Sequence, residues 1–141
     1  MACRFQLYLF RKYFYKMINL KTILLVIVGS AIGGGARFIT SEFMKQKFPM
    51  KFPIGTFLVN ILGCFLIGVV YAYASKNADN SPQIKLLLAT GFCGGFTTFS
   101  AFSSENMELL KSGNQLTALL YILTSVTLGI LATVAGNYTF K

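Results

Sequence analysis

Apolar residues gather into four long runs separated by short polar stretches. The first run covers residues 18–43, INLKTILLVIVGSAIGGGARFITSEF, with its core from Ile23 to Ile39. That core can cross a hydrocarbon layer of about 30 Å if its ends tilt or snorkel. The second runs from Ile54 to Ala74, the third from Gln83 to about Leu110, and the fourth from Leu116 to about Tyr138. The connections MKQKFPMKFP, SKNADNSP and KSGNQ are short, and Pro49, Pro53 and Pro82 fall at run boundaries, where a residue without an N–H does least harm to a helix. The pattern predicts an all-α membrane protein of four transmembrane helices with no separate soluble domain. A cleaved signal peptide fits the first run poorly: the run is long, and GGGAR puts Arg37 where a cleavage site wants small neutral residues.

The third run carries an anomaly. Its centre, GFCGGFTTFS at 91–100, holds three glycines, two threonines and a serine. Glycine costs roughly 1 kcal/mol against alanine inside a helix, and β-branched Thr97 and Thr98 add to the penalty. The stretch predicts a helix broken at its centre. A break frees backbone groups, which a membrane tolerates only where they are buried in protein or line a wet cavity. Freed carbonyls can hold cations, and half-helix N-termini can face anions. Phe99 and Phe102 follow, three apart and on one side of the next helix; a phenyl ring can turn its positive edge to an anion.

Polar residues recur at helical spacing in the other runs. Gly29 and Gly33, Ser30 and Gly34, and Ala31 and Gly35 lie four apart in the first, a spacing that lets helix backbones approach. Arg37 follows one turn after Gly33 and either snorkels to the interface or sets a fixed positive charge near an anion path. Thr56, Asn60 and Gly63 share one face of the second run, and Asn60 brings two amide donors. Thr117, Tyr121, Ser125, Gly129 and Thr133 repeat at steps of four in the fourth. One stripe could be interhelical glue; two suggest a lined pathway.

Composition agrees with the pattern: 55% of residues are hydrophobic and 12% charged, against about 25% charged in soluble domains. The net charge of +9 sits dispersed at run ends, as membrane anchors do, and argues against nucleic-acid binding. With no histidine, the commonest general base and metal ligand is missing. Cys3, Cys64 and Cys93 form no metal-binding spacing and read as small packing residues rather than a disulfide. No catalytic grouping of acid, base and nucleophile is visible.

Residues 1–16, MACRFQLYLFRKYFYK, are basic and aromatic. They are either an amphipathic surface segment or an extension upstream of a true start at Met17, the reading favoured here. Counted from Met17, Lys21, Lys76, Lys85 and Lys141 lie on one side of the membrane and Lys45, Lys47, Lys51 and Lys111 on the other, four against four. The positive-inside rule then gives almost no preferred orientation. Arg4, Arg11, Lys12 and Lys16 make it eight to four and favour the N-terminus inside.

The motifs GGGARF, GTFLVNILGCFLIG and GFCGGFTTFSAF together resemble the small fluoride channels of the Fluc or CrcB family, over essentially residues 17–138. The resemblance implies four-helix subunits in an antiparallel, dual-topology dimer with two pores, passing fluoride passively out of the cytoplasm across the cell membrane. It implies a structural sodium ion on the dimer axis, held by the backbone carbonyls of Gly94 and Thr97. The fluoride path is implied at Asn60 and at the ring edges of Phe99 and Phe102, with polar contacts from Ser100, Tyr121 and Ser125. Glu105 is implied near a vestibule, and Arg37 matches the arginine of the family's first-span motif. The implied assembly is a homodimer, or a pair with a paralogous chain if the basic extension fixes orientation. Two positions depart from the family pattern: TTFSTF is here TTFSAF, so Ala101 removes a hydroxyl, and Gly129 stands where a hydroxyl residue often occurs.

A small multidrug-type, proton-coupled exporter also has four short spans and dual topology. It needs a carboxylate in the middle of the first span, whereas Glu42 lies at its end. A non-transporting assembly or anchor protein would explain the glycine packing but not a broken third span. No phosphate-binding loop suggests a driven pump.

Overall fold

The computed structural model describes residues 19–77 and 81–140; residues 1–16 and the Met17 question lie outside them. Among the described residues, four helical segments are long and apolar enough to cross a membrane: Leu20–Lys47, Ile54–Lys76, Pro82–Lys111 and Gln115–Tyr138. We call Leu20–Lys47 α1, Ile54–Lys76 α2 and Gln115–Tyr138 α5. The third span divides into α3, residues 81–96, and α4, Phe99–Lys111.

Local sequence sets the ends. Asn19 starts α1 with a capping box: Asn19 Oδ1 accepts from the Thr22 N–H at 2.9 Å, and Thr22 Oγ1 accepts from the Asn19 N–H at 3.1 Å. At 28 residues, α1 is about 42 Å long. It runs four residues beyond Phe43, where the apolar pattern stops, because Lys45 and Lys47 can complement the carbonyl end of the helix. Lys47 Nζ lies 5.7 Å from the Phe43 ring and 5.8 Å from the Phe48 ring, and Lys85 Nζ 5.7 Å from the Tyr71 ring. Such amphipathic pairs suit the headgroup level. A tight turn joins α4 to α5. Gly113 adopts φ 75°, the Asn114 N–H reaches the Leu109 carbonyl at 2.8 Å, and the Gly113 N–H reaches Leu110 at 3.2 Å. That pair of bonds is a Schellman stop, and its φ favours glycine.

Two helix pairs pack backbone to backbone. In the first, α1 meets α3: a Cβ on Gly91 would lie 3.0 Å from Gly29 Cα, and one on Gly95 would lie 2.9 Å from Ser30 Cα. In the second, α2 meets α5: a Cβ on Gly136 would lie 3.0 Å from the Val69 nitrogen, and one on Gly68 2.9 Å from the Asn137 nitrogen. The first pair uses the small-residue spacing visible in the first run; the second rests on Gly68 and Gly136, each four residues from an alanine (Ala72, Ala132), a spacing the polar stripes of these runs overshadow. The core is small, and apolar side chains such as Ile27, Ile32, Leu123 and Ile130 stay exposed, as a lipid-facing surface requires.

The third span is not a uniform helix. Lys85–Cys93 winds as a π-helix, nine residues of wider turns, a form that is rare and favours functional sites. The chain then closes to α-helix at Gly94–Phe96 and leaves helical geometry at Thr97 and Thr98.

Candidate functional site

The break falls at two threonines. Thr97 has φ −80° and ψ 157°, and Thr98 φ −149° and ψ 119°, both extended. Gly94 stays helical at φ −63° and ψ −35°. Of the two kinds of poor helix former in 91–100, the threonines leave the helix and the glycines do not. Gly91 and Gly95 stay in the helix and serve the close approach to α1; the β-branched pair leaves it.

Several of the freed backbone groups are taken up in turn. Thr97 sends both its N–H and its Oγ1–H to the Cys93 carbonyl, each at 2.9 Å. The Thr98 N–H, which would close on Gly94 in a continuous helix, donates instead to Asn60 Oδ1 at 2.8 Å. Asn60 Nδ2 donates to the Thr98 carbonyl at 3.1 Å. Thr98 Oγ1 caps α4 by accepting from the Ala101 N–H at 3.2 Å and shares a hydrogen bond with Ser100 Oγ at 3.1 Å. On the far side, Arg37 Nε donates to the Gly95 carbonyl at 3.2 Å. Arg37 does not snorkel outward; it sets its charge at the carbonyl end of α3, where a cation is favoured.

The polar face of α2 meets this region residue by residue. Asn60 holds Thr98, and Gly63 lies against the Thr97 methyl. One turn earlier, Thr56 Oγ1 donates to Glu105 Oε1 at 2.6 Å, and Tyr121 Oη donates to Glu105 Oε2 at 2.8 Å. One carboxylate on α4 thus accepts from hydroxyls on α2 and α5. The Tyr121 ring is fully buried and meets Phe102 edge-on at 4.9 Å and Phe52 at 5.2 Å. Phe57 completes this aromatic wall, 5.3 Å from Phe52.

Two hollows border the arrangement. A cleft of about 850 Å³ opens by the α1–α2 connection, lined by Lys45, Lys51, Thr56, Glu105 and Glu108 among others. A groove of about 280 Å³ runs beside the break along Asn60, Gly63, Cys64, Cys93, Gly94 and Thr97.

The anticipated residues therefore form two groups. Glu105, Tyr121 and Phe102 join Thr56 in one cluster at the cleft. Asn60, Ser100, Gly94 and Thr97 gather at the break with Thr98, and Arg37 holds its other side. Phe99 lies 5.7 Å from Phe102, but its ring is 79% exposed. The fourth-run stripe is only partly realised. Tyr121 reaches the cluster, and Ser125 Oγ is buried with no hydrogen-bond partner among the described residues. Thr133 Oγ1 instead bonds back to the Gly129 carbonyl at 3.1 Å. Sequence reasoning missed Thr98 as the partner of Asn60, and the wall residues Phe52 and Phe57. Phe52 stands in a connecting stretch, where no periodicity marks it.

The fold and site define a multi-pass membrane protein of four spans whose third is interrupted, the interruption being held by an asparagine of the second. A profile of the family described as "CrcB-like protein, Camphor Resistance (CrcB)" matches residues 24–137. The chain belongs to this family. It is 49% identical over 119 residues to "Fluoride-specific ion channel FluC" of Gloeothece citriformis, covering 84% of this chain and 96% of that protein. A protein of the same name from Flavobacterium psychrophilum is 45% identical over 117 residues, 83% of this chain and 94% of its own length. One from Leptospira interrogans is 46% identical over 121 residues, 86% and 95%.

Proposed function

We propose that this protein is a fluoride-selective channel that lets the ion leave the cytoplasm passively. The observation that carries the reading is the opened third span. At Thr97–Thr98 it turns the N-terminal, positive end of α4 into the groove, beside the Asn60 amide and the first phenyl of α4. Fluoride is small and holds its water tightly, so a pore must replace that water with placed donors and positive edges while binding weakly enough for exit. Asn60 spends one amide hydrogen on Thr98 and keeps the second for an ion. Phe99 and Phe102 follow along α4, and the Thr56, Tyr121 and Ser125 hydroxyls continue the polar series toward the cleft. Glu105 holds two of those hydroxyls, so an anion taking them must first displace or neutralise the carboxylate.

A sodium ion fits the carbonyls of Gly94 and Thr97. The Thr98 N–H is diverted from Gly94 to Asn60, and a Cβ at Gly94 would find only the Ala89 oxygen, at 4.0 Å. The side of the break bearing Gly94 is thus open to a ligand. Two carbonyls make half a cation site, and a second copy about a two-fold axis would supply the other half. Such an ion would add fixed positive charge at the break. The antiparallel dimer also suits the balanced lysines from Met17 onward and the exposed Phe99 ring, which a partner copy would cover.

The experiment is complementation. In a host lacking its fluoride exporter, the chain should restore growth on fluoride and leave sensitivity to cationic drugs unchanged. Drug resistance without fluoride resistance would favour the proton-coupled exporter, and no phenotype of either kind would favour an anchor protein.

A further inference from the structure

Gly63 is the third member of the polar face of α2, yet it has no polar atom to contribute. A Cβ built on it would collide with Thr97 Cγ2 and sit 3.4 Å from Phe96 Cδ1. The space a side chain would fill is taken by the Thr97 methyl. In this position, Thr97 keeps its Oγ1 on the Cys93 carbonyl at 2.9 Å, doubling the bond its own N–H makes there. The two bonds tie the start of the break to the last π-helical residue, while ψ of 157° carries the Thr97 carbonyl out of the helix. A β-branched residue has few χ1 choices, so whatever seats the methyl also selects where the hydroxyl goes.

We infer that Gly63 is the positioning residue of the break: its missing side chain leaves the space in which the Thr97 methyl sits, which fixes the rotamer that ties Thr97 to Cys93 and lets the Thr97 backbone keep the place from which its carbonyl faces outward. The inference rests on the reading of Gly94 and Thr97 as sodium-facing carbonyls. An alanine at 63 would push the methyl away: the side chain then turns and swings Oγ1 off Cys93, and the Thr97 backbone shifts and re-aims the carbonyl. Serine at 97 keeps the hydroxyl and lacks the methyl, so it removes the collision alone.

The test is a double-mutant cycle of Gly63→Ala and Thr97→Ser on the full chain in lipid nanodiscs. Thermal unfolding is followed without sodium and across a sodium titration, and fluoride efflux is measured alongside. Gly63→Ala is expected to raise the sodium concentration at half-maximal stabilisation roughly tenfold in the wild-type background, and less than about twofold in the Thr97→Ser background. Equal effects of Gly63→Ala in both backgrounds would overturn the inference. If Gly63→Ala does not fold, recovery of folding by added Thr97→Ser supports it, and failure to recover overturns it. If the wild type ignores sodium, the sodium reading falls on its own. The sodium-free unfolding cycle then decides the Gly63–Thr97 coupling, and additivity there overturns it.

Discussion

The side chain of Asn60 pairs with both backbone groups of Thr98, donating to its carbonyl at 3.1 Å and accepting from its N–H at 2.8 Å. Thr98 is extended, so its N–H and its C=O, which belong to two successive peptide groups, point the same way and meet the two ends of one amide; a single residue of α2 stands in for the helical neighbours Thr98 has lost. For Thr98, this pairing meets the demand that backbone groups freed inside a membrane find partners in protein.

Asn60→Asp keeps the shape and the acceptor but loses the donor, and sets a negative charge against the Thr98 carbonyl. It should cost about 1–3 kcal/mol of stability, read by denaturant unfolding. Fluoride efflux should fall at least about tenfold, since the change removes an amide donor and repels the ion.

Glu105 holds its place through Thr56 and Tyr121. Tyr121→Phe leaves Oε2 without its donor and should cost about 1–3 kcal/mol. Thr56→Val removes the other donor. Because both act on one carboxylate, the double variant should depart from additivity by about 0.5 kcal/mol or more in a thermodynamic cycle. Strict additivity would mean that the two hydroxyls do not share Glu105.

The α1–α3 packing gives a sharp contrast. A Cβ on Gly33 would lie 2.9 Å from the Phe96 nitrogen, whereas one on Gly35 meets nothing within 4 Å. Gly33→Ala should force the helices apart and destabilise by about 1–3 kcal/mol. Gly35→Ala should leave the stability of the single chain within about 0.5 kcal/mol. Paired unfolding measurements check both.

Orientation should follow the basic extension. A chain starting at Met17 balances four lysines against four and should insert both ways, while residues 1–16 add four positive charges to the N-terminal side. Tags at either terminus, tested for accessibility in sealed vesicles, should report mixed topology for the first and N-terminus inside for the second.

The four spans are legible because apolar length is a local property of the chain. The existence of a break in the third is legible too, since GFCGGFTTFS is a poor helix former throughout. Its place ahead of Phe99 is legible as well; which of the poor helix formers leave the helix is not. Gly91 and Gly95 look like breakers in sequence, but α1 comes so close that they are needed for packing, and only the fold separates the two uses. Asn60 could be picked out as polar in an apolar run; its partner 38 residues away could not. The same holds for Thr56 and Glu105, which are 49 apart. The π-helical winding of Lys85–Cys93 leaves no mark in LLLATG that distinguishes it from an ordinary span.

Purified protein in liposomes loaded with fluoride and chloride tests the central claim most directly, with an ion-selective electrode for each anion and valinomycin to carry the balancing potassium. The account predicts fast release of fluoride and none of chloride above protein-free vesicles, with the fluoride current abolished by Phe99→Ile. Release of fluoride no faster than from protein-free vesicles, or of both anions alike, would contradict it.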